Sequence, residues 1–163
     1  MSGSTQLYLL RHADAGDPAR WEGPDAGRPL SAEGIAQAER LASHLAAIGT
    51  QIDAIVSSPK RRAIETAEPL AAALGLKVVI DERLAGPLSP ERLDEVLAAS
   101  GDPRRPVLVG HDPDFSELLT SLVGAVDLRM KKGALARLET GRPLGAGSAR
   151  LRWLIPPEAL GRR

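Results

Sequence analysis

The feature that most restricts the fold is a set of short apolar runs, at residues 7–10, 52–56, 77–80 and 106–109, separated by stretches of helical periodicity. Leu7, Tyr8, Leu9 and Leu10 form an unbroken apolar run that stops abruptly at Arg11, which suits a strand buried on both faces. Ser31 is placed to cap a helix in which Ile35, Ala38, Leu41, Ala42 and Leu45 recur on one side, and Gly49 follows its end. Residues 60–74 form a second helical stretch closed by Gly75, with Pro69 expected to kink it. Ser89 and Pro90 open a third helix running to residue 99, and residues 113–123 supply a fourth. Two later runs, 134–138 and 149–155, alternate apolar and polar residues and are expected towards a sheet edge, before Pro156 and Pro157 end the regular structure. Strands alternating with helices predict an α/β fold: a three-layer sandwich with a largely parallel central sheet and helices on both faces. Residues 14–29 are rich in Gly, Pro and Asp without periodicity and read as a long surface loop, a kind more often functional than idle.

A chain of 163 residues with 43% hydrophobic content is expected to form one domain over residues 1–163. Its 21 basic and 21 acidic residues balance, so no domain-wide field draws it to nucleic acid or to a membrane surface, and any recognition of phosphate must be local. The absence of cysteine excludes disulfides, thiolate metal sites and thiol catalysis. With no secretory pattern at the N-terminus and no apolar run near the roughly 18 residues of a membrane span, a cytoplasmic location is expected.

Three polar clusters begin where apolar runs end: Arg11-His12, Ser58-Pro59-Lys60-Arg61-Arg62 and Gly110-His111. In open α/β sheets that edge is where ligands bind. Two histidines and at least two arginines, with no carboxylate in the clusters, suit a small dianion such as phosphate, because the arginine fork matches phosphate oxygens and never loses its charge. A metal site would want carboxylates beside the histidines, so neither a metal nor a cofactor is expected. Neutral imidazole is a competent nucleophile, and His12 is placed to take the phosphoryl group and then release it to water. Its other ring N–H must then be held by an acceptor such as a backbone carbonyl.

The residues around these clusters carry a resemblance. Leu10-Arg11-His12 resembles the RHG signature of the histidine phosphatase (phosphoglycerate mutase-like) superfamily, and Gly110-His111 its second histidine motif. Residues 57–67 (SSPKRRAIETA) are similar to the family's S-P-x-x-R-A-x-x-T-A segment, a register that selects Arg62 over Arg61. Arg28-Pro29-Leu30-Ser31 with Gly34 is similar to the P-L-T-x-x-G helix entry, and Lys131-Lys132-Gly133 with residues 153–157 resembles the SixA-type phosphohistidine phosphatases. The resemblance implies that Arg11, His12, Arg62 and His111 are both the catalytic and the phosphate-binding residues. Ala13 stands where the family usually has glycine. Larger members add a helical insertion over the site and a glutamate acid; Glu82 is the nearest candidate for that acid.

A short chain without the insertion implies an open site. The expected substrate is phosphohistidine on a protein, such as a phosphotransfer domain. The alternatives are a phosphatase of small phosphomonoesters and a non-catalytic phosphate-binding module. Outside the motifs, His44, Arg104-Arg105 and Arg162-Arg163 read as surface residues, and Trp21 as either a lid residue or a pin for its own loop.

Overall fold

The computed structural model describes residues 3–161; Arg162 and Arg163 lie outside the described residues. The elements run β1 (Thr5–Arg11), α1 (Ala32–Ala47), β2 (Ala54–Ser57), α2 (Arg61–Leu74), β3 (Val78–Ile80), α3 (Pro90–Ala99), β4 (Pro106–Gly110), α4 (Asp114–Val123), β5 (Leu135–Thr140) and β6 (Ala149–Ile155). One sheet holds the strands in the order β3-β2-β4-β1-β5-β6. β1, β2, β3 and β4 are mutually parallel. β5 and β6 add an antiparallel flank on the other side of β1, as the alternation of the late runs implied.

The alternation of β1 separates two cores. Leu7 and Leu9 pack with Leu108 against Leu93, Leu97, Phe115 and Leu119 of α3 and α4. Tyr8 and Leu10 pack with Val107 and Val109 against Leu41, Leu45 and Leu70 of α1 and α2. Helices therefore cover both faces, and the continuous apolar run of β1 follows from burial on each side. α2 runs unbroken through Pro69, which has no N–H to offer the carbonyl one turn back, and Gly75 ends the helix in the left-handed region at φ 68°.

β2 begins at Ala54 rather than in the residues just before it. The carboxylate of Asp53 accepts the backbone N–H groups of Arg104 and Arg105 at 2.9 Å each, which joins the two strand entries through a side chain before the ladder starts. The loop before α1 contains two 3-10 turns, at residues 18–20 and 25–27. Trp21 pins that loop internally, its Nε1 donating to the Pro24 carbonyl at 3.0 Å.

One departure from helical periodicity bears on the site. Ile35, expected on the buried side of α1, is 45% exposed, and the buried position beside it belongs to Gly34. Ser31 caps the helix by accepting Gly34 N–H at 3.1 Å, while its hydroxyl donates to the Asp14 carboxylate at 2.6 Å and its own N–H to the Asp14 carbonyl at 2.9 Å. The helix is thereby drawn onto the chain just after His12, and a side chain at residue 34 would overlap the Asp14 carbonyl. Gly34→Ala is expected to destabilise the protein by about 1–3 kcal/mol as an overpacking substitution, read by urea denaturation. It should also shift the His12 backbone amide signal in NMR, because the displaced Asp14 is two residues from His12.

Candidate active site

Strand register brings the three polar clusters together. Arg11 at the end of β1 is opposite Gly110 at the end of β4, and His12 N–H continues the ladder to the Gly110 carbonyl at 2.9 Å. Ser58 N–H donates to the Val109 carbonyl at 3.0 Å, so the turn after β2 lies on the other side of β4. The rings of His12 and His111 stand 5.2 Å apart, centroid to centroid. Gly110 is required there, since an added Cβ would lie 2.6 Å from the Phe115 ring packed beneath the turn.

His12 Nδ1 lies 2.7 Å from the Ala13 carbonyl. A carbonyl only accepts, so Nδ1 carries the proton and Nε2 keeps its lone pair. Burial, with the nearby charges of Arg62, Arg11 and Arg28, lowers the His12 pKa to about 4 despite that carbonyl bond. His111 is lowered to about 3 by burial and by His12, Arg62 and Lys60. Both rings are neutral near pH 7. His111 Nε2 is 2.7 Å from Ser58 Oγ, which also accepts the Lys60 N–H at 3.2 Å.

The arginines are anchored from behind. Arg11 donates from Nη1 to the Met130 carbonyl at 2.7 Å, with Asp112 at 3.5 Å. Asp112 is itself held by Ser116 through both oxygens, at 3.0 and 2.6 Å. Arg62 points inward at 5% exposure and donates to the Asp25 carbonyl at 2.9 Å and its carboxylate at 3.0 Å. Arg61 turns outward to Glu65 at 3.2 Å. Thr66, one turn on in α2, accepts Ala13 N–H at 3.0 Å and donates to the Arg62 carbonyl at 2.7 Å, which ties the first histidine turn to the arginine helix.

Arg28 is a residue that motif reasoning left as part of a helix entry. It is 7% exposed, donates to the Ala15 carbonyl at 2.7 Å, and its charge acts on His12. Among the described residues, the buried side-chain nitrogens without a hydrogen-bond partner are Arg11 Nε, Arg28 Nε, Arg62 Nε and His111 Nδ1. Native proteins rarely leave such groups unmatched, and here all four belong to the residues gathered around His12. The Asp25 carboxylate at the rim contacts three cations, Arg62 at 3.0 Å, Arg28 at 3.5 Å and Lys60 at 3.6 Å. No polar side-chain signature in the sequence marked Asp25, because its meeting with Arg62 depends on how the long loop returns.

The remaining candidates stand apart. Glu82 is exposed, in the turn after β3, and forms no hydrogen bond or ion pair with the four candidate residues. Lys131 pairs with Glu158 at 2.7 Å and Lys132 with Asp14 at 3.4 Å. The contribution of that segment is backbone: Gly133 N–H is shared between the Arg11 and His12 carbonyls, at 3.1 and 2.9 Å.

Residues 7–86 match the histidine phosphatase superfamily (branch 1). An uncharacterized protein of Picosynechococcus sp. is 34% identical over 147 residues, covering 83% of this chain and 86% of its own. A candidate phosphohistidine phosphatase SixA of Agrobacterium tumefaciens superposes with a TM-score of 0.76 at 28% identity, over 94% of this chain and 98% of the other. The protein histidine phosphatase SixA complexed with tungstate gives a TM-score of 0.82 at 22% identity, over 96% and 100% of the two chains, and so shares the fold. With its paired histidines at the strand ends and its arginine on the helix after β2, the chain belongs to the histidine phosphatase superfamily, and its structural counterparts include SixA-type proteins alongside other phosphatases of the same fold.

Proposed function

We propose that the chain hydrolyses phosphohistidine on a protein, with His12 as nucleophile and Arg11, Arg28, Arg62 and His111 as the phosphoryl-binding groups. The observation that carries this reading is the unprotonated Nε2 of His12 set among four buried nitrogens that lack hydrogen-bond partners. A phosphoryl group would supply their acceptors, and the guanidinium charges would stabilise the negative charge spread over its equatorial oxygens. Ser58, already accepting from Lys60 N–H, donates its proton to His111 Nε2, which leaves His111 Nδ1–H as a donor. His12 Nε2 attacks phosphorus as the bond to the leaving nitrogen breaks. Water then attacks the phosphohistidine, freeing inorganic phosphate and restoring neutral His12.

The choice of phosphohistidine rests on proton supply. Alkyl phosphates need an acid at the bridging oxygen, whereas a phosphohistidine protonated on its second ring nitrogen expels neutral imidazole, whose conjugate acid has a pKa of about 6.5. Asp25 is unsuited to that role: burial raises its pKa, but Arg62, Lys60 and Arg28 outweigh burial and hold the carboxyl below the usual range. One observation favours the second reading, a phosphatase of small phosphomonoesters. Asp114, in the first turn of α4 and within electrostatic reach of Lys60, has its pKa raised by burial and by Glu117 and Asp112, as an acid would require.

Single-turnover phosphoryl transfer should therefore depend steeply on leaving-group pKa, with phosphohistidine and aryl phosphates far ahead of sugar phosphates. A shallow dependence that steepens in Asp114→Asn would assign the acid to Asp114 and move the function to small phosphomonoesters. His12→Ala should abolish turnover, by about 10⁴-fold or more, while tungstate binding followed by calorimetry persists. Arg62→Ala should weaken binding and turnover together, and Arg61→Ala should leave both near wild type.

The histidines also set a pH dependence. Because the His12 pKa is lowered to about 4, kcat/KM should hold its plateau below pH 6.5 and its acid limb should fall near pH 4. In the unliganded protein the unfolded chain binds more protons than the folded one between about pH 6.5 and 4, so stability falls as pH falls through that window. Chemical denaturation of His12→Asn across this window should show a smaller loss than wild type.

A further inference from the structure

We infer that a second oxyanion site lies at the opposite edge of the sheet, where Tyr8, Arg105 and Arg137 face one cavity, and that it takes a phosphate or carboxylate group of a small molecule. The cavity measures about 510 Å³ and is also lined by Gln6, Thr50 and Gln51. It sits at the amino-terminal ends of β1 and β4, whereas His12 and His111 follow their carboxyl ends. Four residues of strand, about 13 Å at the usual rise, separate Tyr8 from His12.

Tyr8 is the first observation. It is 2% exposed, yet its hydroxyl forms no hydrogen bond among the described residues, while its ring packs edge-on to Trp153 at 6.0 Å. The hydroxyl is not among the fully buried polar atoms without a partner, and the residue lines the cavity, so its O–H is free to meet a ligand there. The charges around it are the second. Arg137, opposite Tyr8 in the ladder, lies 5.8 Å from its ring centroid and donates to Gln6 Oε1 from Nε and Nη2, at 3.3 and 3.2 Å. That leaves Nη1 uncommitted. Arg105, read from the sequence as plain surface charge, pairs with no carboxylate among the described residues.

The groups that could cancel this charge are occupied. Glu139, two residues beyond Arg137, is held by Arg152, and Asp53 by the backbone N–H groups of Arg104 and Arg105. The carboxyl end of α1, which reaches the cavity, is capped by its own chain: Ile48 N–H donates to the His44 carbonyl and Thr50 N–H to the Leu45 carbonyl, at 3.1 and 3.0 Å. Two arginines and a tyrosine thus line one space whose lining residues include no carboxylate. This donor set suits a planar or tetrahedral oxyanion.

The test is a titration of the whole protein with inorganic phosphate, and separately with acetate, followed by amide shifts in NMR. The site predicts saturable shifts at Thr50, Gln51 and Arg105 from one or both anions, alongside a second set at His12 and His111 from phosphate. Tyr8→Phe keeps the ring against Trp153, and Arg105→Gln alters an exposed residue. Each should weaken the first set by about tenfold without touching the second set or turnover. No saturable shift at Thr50, Gln51 and Arg105, shifts matched by sodium chloride, or shifts unchanged in both variants would overturn the proposal. The catalytic amides are read in the same spectra, so failure here is distinguishable from failure of the phosphatase reading.

Discussion

A guanidinium group never sheds its proton, so burying one demands acceptors, and the kind of acceptor decides what the group can still do. Arg11 and Arg28 are each fastened by a backbone carbonyl, those of Met130 and Ala15. A carbonyl occupies one N–H without cancelling the charge. Arg62 takes both a carbonyl and a carboxylate from Asp25, but that carboxylate is 55% exposed and stands at the rim. Among the described residues, Arg11, Arg28, Arg62 and Lys60 share only two carboxylates, Asp112 and Asp25, so the site keeps a net positive charge.

The same charges act on His12, after burial, to keep its ring neutral. Burial and the arginines both disfavour imidazolium, so His12 stays neutral, and the Ala13 carbonyl selects the ring nitrogen that carries the proton. Burial is the larger cause of the neutral ring, and the arginine charges that would favour a dianion add to it, within one arrangement. The fold supplies it through register, since Arg11 lies opposite Gly110 and Ser57 opposite Val109, which puts three strand ends in one row.

What could be read from the sequence was the part encoded by side chains at strand ends. Arg11, His12 and His111 each follow an apolar run by a short, fixed distance, so locating the strands located them, whereas Arg62 is selected over Arg61 by the register of the family segment. The contributions that escaped were made by backbone or by loop return. Met130 offers only its carbonyl to Arg11, and Gly133 only its N–H, so neither has a chemical signature. Arg28 was visible only as a helix entry, because its burial depends on the fold of residues 14–27. Ile35 was misplaced for a related reason: apolar spacing cannot register the Asp14 carbonyl that excludes a side chain from position 34. Glu82 shows the reverse case, a residue near the expected place in the chain that the turn after β3 carries to the surface.

β1 comes first in the chain and lies inside the sheet, between β4 and β5. During synthesis His12 is made before either of its neighbouring strands exists. The carbonyl that anchors Arg11 and the N–H that steadies the His12 turn arrive only with residues 130 and 133. A ribosome-bound chain that already carries His12, Arg28 and Arg62 still has no strand pairing to hold β1. Its His12 is a solvated histidine with an ordinary affinity for protons. In this topology the surroundings of His12 are completed from far along the chain, and they do not exist until residues 130 and 133 have folded back onto β1.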